Sequence, residues 1–115
     1  MTIGYHRPSK AIVSLDAIIH NYFAVKKHVG NKAVMAVIKA NAYGLGAVEI
    51  ADALQARGVD GFAVALADEA IALRDAGMIA PIMVLGLTDS DDAWLLANLE
   101  IGVTVSSLDY LKYAK

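Results

Sequence analysis

The stretch that most limits how this chain can fold runs from Ala33 to Gly46, AVMAVIKANAYGLG, an apolar run, a lysine and a turn punctuated by glycine. From Ala33 to Ile38 both alternating faces are apolar, the pattern of a parallel strand covered on both sides rather than of a half-exposed one. Lys39 ends the run. A cation at the carboxyl end of a covered strand is costly to desolvate, so its position suggests that the amine is used, as a nucleophile or as an attachment point. The plainer alternative is a lysine whose stem lies along the rim of a sheet and whose head reaches water.

The rest of the chain reads as scaffold for that stretch. Met1 to Ser9 is polar, and Pro8 marks an extended approach to a short strand at Lys10 to Ser14. Asp16 to Val29 has the helical period, with Leu15, Ile18, Ile19, Tyr22, Val25 and Val29 on one stripe, and Gly30 ends it. After the lysine turn, Ala47 to Arg57 reads as a helix closed by Gly58. Gly61 to Leu66 is a second strand, Asp68 caps a helix from Glu69 to Ala76, and Ile82 to Leu85 is a third strand. A helix from Asp91 to Asn98, a fourth strand from Gly102 to Ser106 and an incipient helix at Leu108 complete the pattern. Strands beginning near residues 33, 61, 82 and 102 have the spacing of consecutive parallel βα units. That spacing fits an open doubly wound sheet as well as a barrel.

Composition excludes several classes of function. Among the 115 residues, 57% are hydrophobic and 19% charged, with a formal net charge of -2; the basic residues form no run, so a nucleic-acid partner is not expected. There is no cysteine, which removes disulfides and thiolate metal sites and fits a reducing cytoplasm. The apolar run from Ile79 to Leu87 is interrupted by Pro81 and Gly86 and is too short for a membrane span, and no secretory signal is evident at the start. His20 and His28 read as solvated surface histidines, as does His6. The acidic group Asp89, Asp91 and Asp92 reads as a helix start rather than a metal site, so no metal is expected. Trp94, Met35, Met78 and Met83 read as core.

Val37-Ile38-Lys39-Ala40-Asn41-Ala42-Tyr43-Gly44-Leu45-Gly46 resembles the pyridoxal-phosphate signature near the amino terminus of alanine racemases, and the chain from about Arg7 to Lys115 is similar to that family in order and spacing. Family members often carry histidine between the two glycines, where this chain has Leu45. The resemblance implies an α/β fold, the amino-terminal half of a (β/α)8 barrel with outer helices over residues 1–115, and a carboxyl-terminal β domain that lies beyond them. It implies that Lys39 carries pyridoxal 5'-phosphate as a Schiff base and handles the proton on the D face. It also implies that Tyr43 helps hold the phosphate and that Val37 and Leu85 pack near the ring. Gly44 and Gly46 would let backbone approach the ligand, and Asn41 would brace the loop.

The activity implied is interconversion of L- and D-alanine by a cytoplasmic homodimer, the D-isomer feeding peptidoglycan. In the family, the proton donor on the opposite face is a tyrosine of the later domain reaching across the dimer. The arginine facing the pyridine nitrogen also lies later in the chain. A full barrel needs about 250 residues, so the residues present are expected to be a fragment of a longer protein, with little racemase activity of their own. The alternative is a non-catalytic pyridoxal-phosphate-binding barrel module or truncated remnant.

Overall fold

The computed structural model describes residues 8–114, so the expectations for the first seven residues, His6 included, lie outside it. The elements in order are α1 (Leu15–Val29), β1 (Met35–Val37), a short left-handed segment α2 (Lys39–Tyr43), α3 (Ala47–Ala56), β2 (Gly61–Val64), α4 (Ala67–Asp75) and β3 (Ile82–Leu87). A 3-10 turn (Ser90–Asp92), α5 (Ala93–Asn98), β4 (Ile101–Thr104) and α6 (Leu108–Tyr113) follow. The expected strand at Lys10 to Ser14 does not form. Among the described residues it has no partner strand, and Ser14 instead caps α1, its hydroxyl accepting from the Ala17 amide at 3.2 Å.

The four strands form one parallel sheet in the order β1-β2-β3-β4. Their register fixes two unlike faces. Ala36, Phe62, Ile82 and Ile101 stand in one cross-strand row, and this face is sealed by Ile50, Ala51 and Leu54 of α3, Ala70 and Leu73 of α4, and Leu96 of α5. Phe62 and Val84 are fully buried there. The opposite row, Val37, Ala63, Met83 and Gly102, lies on a face with no helix layer. Met35 and Val37 are therefore 37% and 41% exposed, and Leu85 is 44% exposed.

This corrects the expectation that β1 is covered on both sides. Only β2, in the middle of the sheet, is buried throughout. Met78 is core as expected, but Met35 is not, and Trp94 on α5 is 65% exposed because it faces away from the sheet side that buries Leu96. His20 and His28 are exposed. Asp89 does cap the 3-10 turn, accepting from the Asp91 amide at 2.9 Å.

The amino-terminal ends of the strands are tied by polar side chains. The buried Tyr22 hydroxyl donates to the Val34 carbonyl at 2.7 Å and accepts from the Asp60 amide at 3.0 Å. The Asp60 carboxylate accepts from the Val34 amide at 2.7 Å and pairs with Lys26 at 2.8 Å. These bonds join α1 to the starts of β1 and β2. Arg74 does the same for β3 and β4, its guanidinium donating to the carbonyls of Met78, Ala80, Leu99 and Glu100. The molecule measures 52 × 44 × 21 Å, with a radius of gyration of 16.3 Å, against about 13 Å for a compact chain of this length. It is a slab one sheet and one helix layer thick, with its apolar inner face open.

Candidate functional site

The site is built where β1 stops being a strand. The last rung of its ladder is the Ile38 amide donating to Ala63 at 2.9 Å. Ile38 then leaves the extended region (φ -125, ψ 31). Ala40, Asn41, Ala42 and Tyr43 all adopt positive φ, from 50 to 58, so the chain makes one turn of left-handed helix in L-residues. Each such residue costs about 1–2 kcal/mol, and a run of them persists only where the surroundings hold it.

The surroundings here are specific. The amide of Ala42 donates back to Ile38 at 3.0 Å, and Gly46 donates to the Asn41 carbonyl at 2.9 Å. The Asn41 side chain accepts from the Ala47 amide at 2.9 Å and so starts α3 from within the loop, giving the expected brace a definite bond. The Ala42 methyl is buried in the core. Gly44 (φ 89) and Gly46 (φ 107) complete the turn. A Cβ on Gly46 would sit 2.8 Å from a Glu49 carboxylate oxygen.

One participant was not expected. Glu69, in the first turn of α4, accepts from the amides of Ala65 (2.9 Å) and Leu66 (2.8 Å) through one oxygen and from the Ala40 amide (2.6 Å) through the other. Asp68 does not cap this helix. Leu66 occupies the N-cap position, and since leucine cannot accept a hydrogen bond, only the returning half of a capping box, Glu69 to the Leu66 amide, is present. A glutamate at the third helical position was the available signal, but the apolar N-cap hid it. Its reach to Ala40, 29 residues away in sequence, left no local trace.

The structure places the four sequence-predicted residues at the carboxyl-terminal end and on the open face of the sheet. Lys39 sits directly after β1, partly exposed. Among the described residues no carboxylate pairs with its amine; the Lys26–Asp60 pair lies at the other end of the strands. Tyr43 is 63% exposed at the end of the left-handed turn. Val37 and Tyr43 line an apolar cleft of about 420 Å³ along the unpaired edge of β1, with Tyr22, Met35, Ile38 and Leu45 among its walls. Lys39 and Leu85 are not part of that lining. Leu85 lies on the open face of β3, one step beyond Met83, beside an irregularity in the β3–β4 register. Gly86 follows it, and a Cβ there would collide with the Ala65 carbonyl oxygen, so β3 and the loop after β2 approach more closely than any other residue allows.

An unpaired primary amine, a phenol four positions later and flanking apolar side chains suit an aromatic aldehyde bearing an anionic group. Lys39 could hold the aldehyde carbon, Tyr43 the anion, and Val37 and Leu85 the ring. This donor set fits pyridoxal phosphate.

Four consecutive parallel strands in the order β1-β2-β3-β4 with outer helices are the amino-terminal half of a (β/α)8 barrel, a fold in which sites lie at the carboxyl ends of the strands, the end at which Lys39 stands. The family described as "Alanine racemase, N-terminal domain" matches residues 13–115, and the chain belongs to that family. It is 45% identical over 116 aligned residues to an alanine racemase of Latilactobacillus sakei, covering 99% of this chain and 30% of the relative. With an alanine racemase of Ligilactobacillus salivarius it is 41% identical, covering 100% and 31%. The crystal structure of alanine racemase from E. faecalis superposes with a TM-score of 0.90 at 41% identity, covering 99% of this chain and 31% of that one. A histidine racemase from Leuconostoc mesenteroides subsp. sake is also 41% identical, with a TM-score of 0.81 over 87% of this chain and 27% of its own. The chain thus spans about a third of the length of the relatives it matches. Among the described residues no helix is long and apolar enough to cross a membrane.

Proposed function

We propose that this chain is the cofactor-bearing amino-terminal part of a pyridoxal-phosphate-dependent alanine racemase, an isomerase that interconverts L- and D-alanine, the D-isomer going to peptidoglycan. The observation that carries this reading is the Lys39 amine, without an ion pair among the described residues, at the carboxyl end of β1 on a turn held in a costly conformation. When bound, the cofactor supplies an electron sink that makes the Cα proton of an amino acid labile. Lys39 Nζ would hold the cofactor and would take or return the proton at Cα on the D face. Tyr43 Oη would donate to the phosphate. Val37 and Leu85 would pack against the ring and keep water from it.

A proton donor on the opposite face is also needed, and no described residue is assigned that role. We place it on a tyrosine of a carboxyl-terminal β domain acting across a cytoplasmic homodimer, in keeping with relatives about three times as long. A histidine racemase and an alanine racemase are equally identical to this chain, 41% each. That favours a second reading in which this third of the protein carries the common chemistry and the choice of amino acid is made elsewhere.

The test uses the protein as its source cell makes it. Incubation with pyridoxal phosphate, borohydride reduction and peptide mass analysis should find the pyridoxyl adduct on the peptide containing Lys39. Lys39→Ala should abolish both the adduct and the racemisation of alanine. An adduct of equal yield on another lysine, or undiminished racemisation by the variant, would overturn the assignment.

A further inference from the structure

We infer that Glu69 is the positioning residue of this site: its carboxylate takes the place of the next rung of the β1–β2 ladder and so directs the Lys39 amine. The register leaves little room for another reading of its bonds. Val37 pairs with Ala63, and the Ile38 amide donates to the Ala63 carbonyl. A parallel ladder continued by one step would pair residue 39 with residue 65, the Ala65 amide donating to Ile38 and the Ala40 amide to Ala65.

Neither of those bonds forms. Both amides, Ala65 at 2.9 Å and Ala40 at 2.6 Å, donate to the two oxygens of Glu69 instead. The carbonyls that would have accepted them are taken by other amides, Ile38 by Ala42 at 3.0 Å and Ala65 by Gly86 at 3.2 Å. The carboxylate therefore stands between the two strands at the level of Lys39. It ends the ladder, splays β1 from β2, and fixes the first amide after the lysine, from which the left-handed turn begins. Each consequence follows from an acceptor with two oxygens placed at the third position of α4. An amide side chain cannot reproduce it, because one of its two ends is itself a donor. Asp68, one residue earlier and exposed, makes no such bond.

The inference rests on attachment of the cofactor to Lys39, and the experiment keeps the two apart. The protein as its source cell makes it is compared with Glu69→Gln, Glu69→Asp and the neighbouring control Asp68→Asn. Without cofactor, hydrogen exchange is followed at the Ala40 amide. With pyridoxal phosphate, the rate of adduct formation at Lys39 is followed by borohydride trapping, and the orientation of the bound cofactor by its induced circular dichroism. In the unaltered protein the Ala40 amide should be protected. Glu69→Gln should remove that protection, slow adduct formation at Lys39 roughly 10- to 100-fold and weaken the dichroism, while Asp68→Asn changes none of them. If Glu69→Gln does not fold, Glu69→Asp, charged but one methylene too short to span both loops, is read in the same way.

An Ala40 amide that exchanges as freely as an exposed loop amide in the unaltered protein overturns the inference, whatever the variants do. So does an adduct forming at Lys39 at an equal rate in the folded Glu69 variants. If the unaltered protein forms no adduct at Lys39, it is the attachment reading that fails, and the protection of the Ala40 amide still reports on the clamp.

Discussion

Replacing Ala40 by glycine should stabilise this protein, against the usual effect of glycine. Ala40 has φ 50 and ψ 49 and is exposed, so the substitution loses no buried surface and keeps the amide that Glu69 holds. Releasing an L-residue from the left-handed region recovers about 1–2 kcal/mol. The freer unfolded chain gives back about 0.4–1 kcal/mol of that. The balance is a gain of about 0.5–1 kcal/mol. Two comparisons fix the sign. Ala42 has the same conformation, but its methyl is only 3% exposed, and losing that contact costs about 0.8 kcal/mol, so Ala42→Gly should be near neutral. Ala53 lies within α3 in ordinary helical conformation, and Ala53→Gly should cost about 0.8–1 kcal/mol. Urea midpoints at constant slope read all three. If Ala40→Gly lowers the midpoint as much as Ala53→Gly does, the left-handed turn is not a strained element, and the reasoning about how it is held fails.

Three further outcomes follow from the opposite end and from β3. Tyr22→Phe removes a hydroxyl that serves Val34 and Asp60 and should cost about 1–3 kcal/mol, read from the urea midpoint. The Lys26 ammonium, and after it the Val34 amide, hold the Asp60 carboxyl below its usual value of 3.8. A depressed folded value means that the stabilisation is present above 3.8 and is lost as pH falls through the lowered value, so Asp60→Asn should flatten the acid limb of a stability–pH curve. Gly86→Ala puts a methyl against the Ala65 carbonyl and should cost about 1–3 kcal/mol while loosening Leu85, seen as a lower urea midpoint and weaker dichroism of bound cofactor.

The outer half of this fold was legible because its physics is local. Helical stripes, closing glycines and apolar runs set α3, α4 and the four strands to within a few residues, and the lysine signature marked the end of β1 where the chain leaves the sheet. What was not legible depends on contacts between distant residues. The sequence of β1 is apolar on both faces, and nothing in it says that one face lacks a helix layer, so Met35 and Val37 read as buried when they are not. Trp94 read as core because its neighbours are apolar, whereas α5 offers the sheet only one face and spends it on Leu96. The run from Lys10 to Ser14 has strand-like composition but no partner strand among the described residues, and Ser14 serves α1 instead. Four left-handed residues reading Ala-Asn-Ala-Tyr carry only one, asparagine, that announces the conformation.

The two ends of the sheet spend positive φ differently, and this yields a discriminating experiment. At the amino-terminal ends of the strands each helix-to-strand turn contains one such residue. It is Gly30 after α1, Gly58 after α3 and Gly77 after α4, and only in the fourth turn does a side chain, Glu100 (φ 54), stand in that place. Three turns thus use the residue that adopts the conformation at least cost. At the carboxyl-terminal end of β1 the chain places Ala40, Asn41, Ala42 and Tyr43 there ahead of Gly44 and Gly46, keeping an amide bonded to Glu69, a capping amide group, a core methyl and a phenol. Glu100 is exposed, and its contribution to the turn is its carbonyl, which Arg74 holds at 2.9 Å and which glycine retains. Glu100→Gly should therefore gain about 0.5–1 kcal/mol by the same arithmetic as Ala40→Gly, with no effect on the rate at which pyridoxal phosphate labels Lys39. Ala40→Gly should gain as much and slow that labelling, because the residue freed is the one that follows the lysine. Equal labelling rates in the two variants would mean that the left-handed turn is only a connection between β1 and α3. Slowing confined to Ala40→Gly would mean that the restricted backbone of the residue after the lysine, together with the Glu69 bond to its amide, keeps the amine in place.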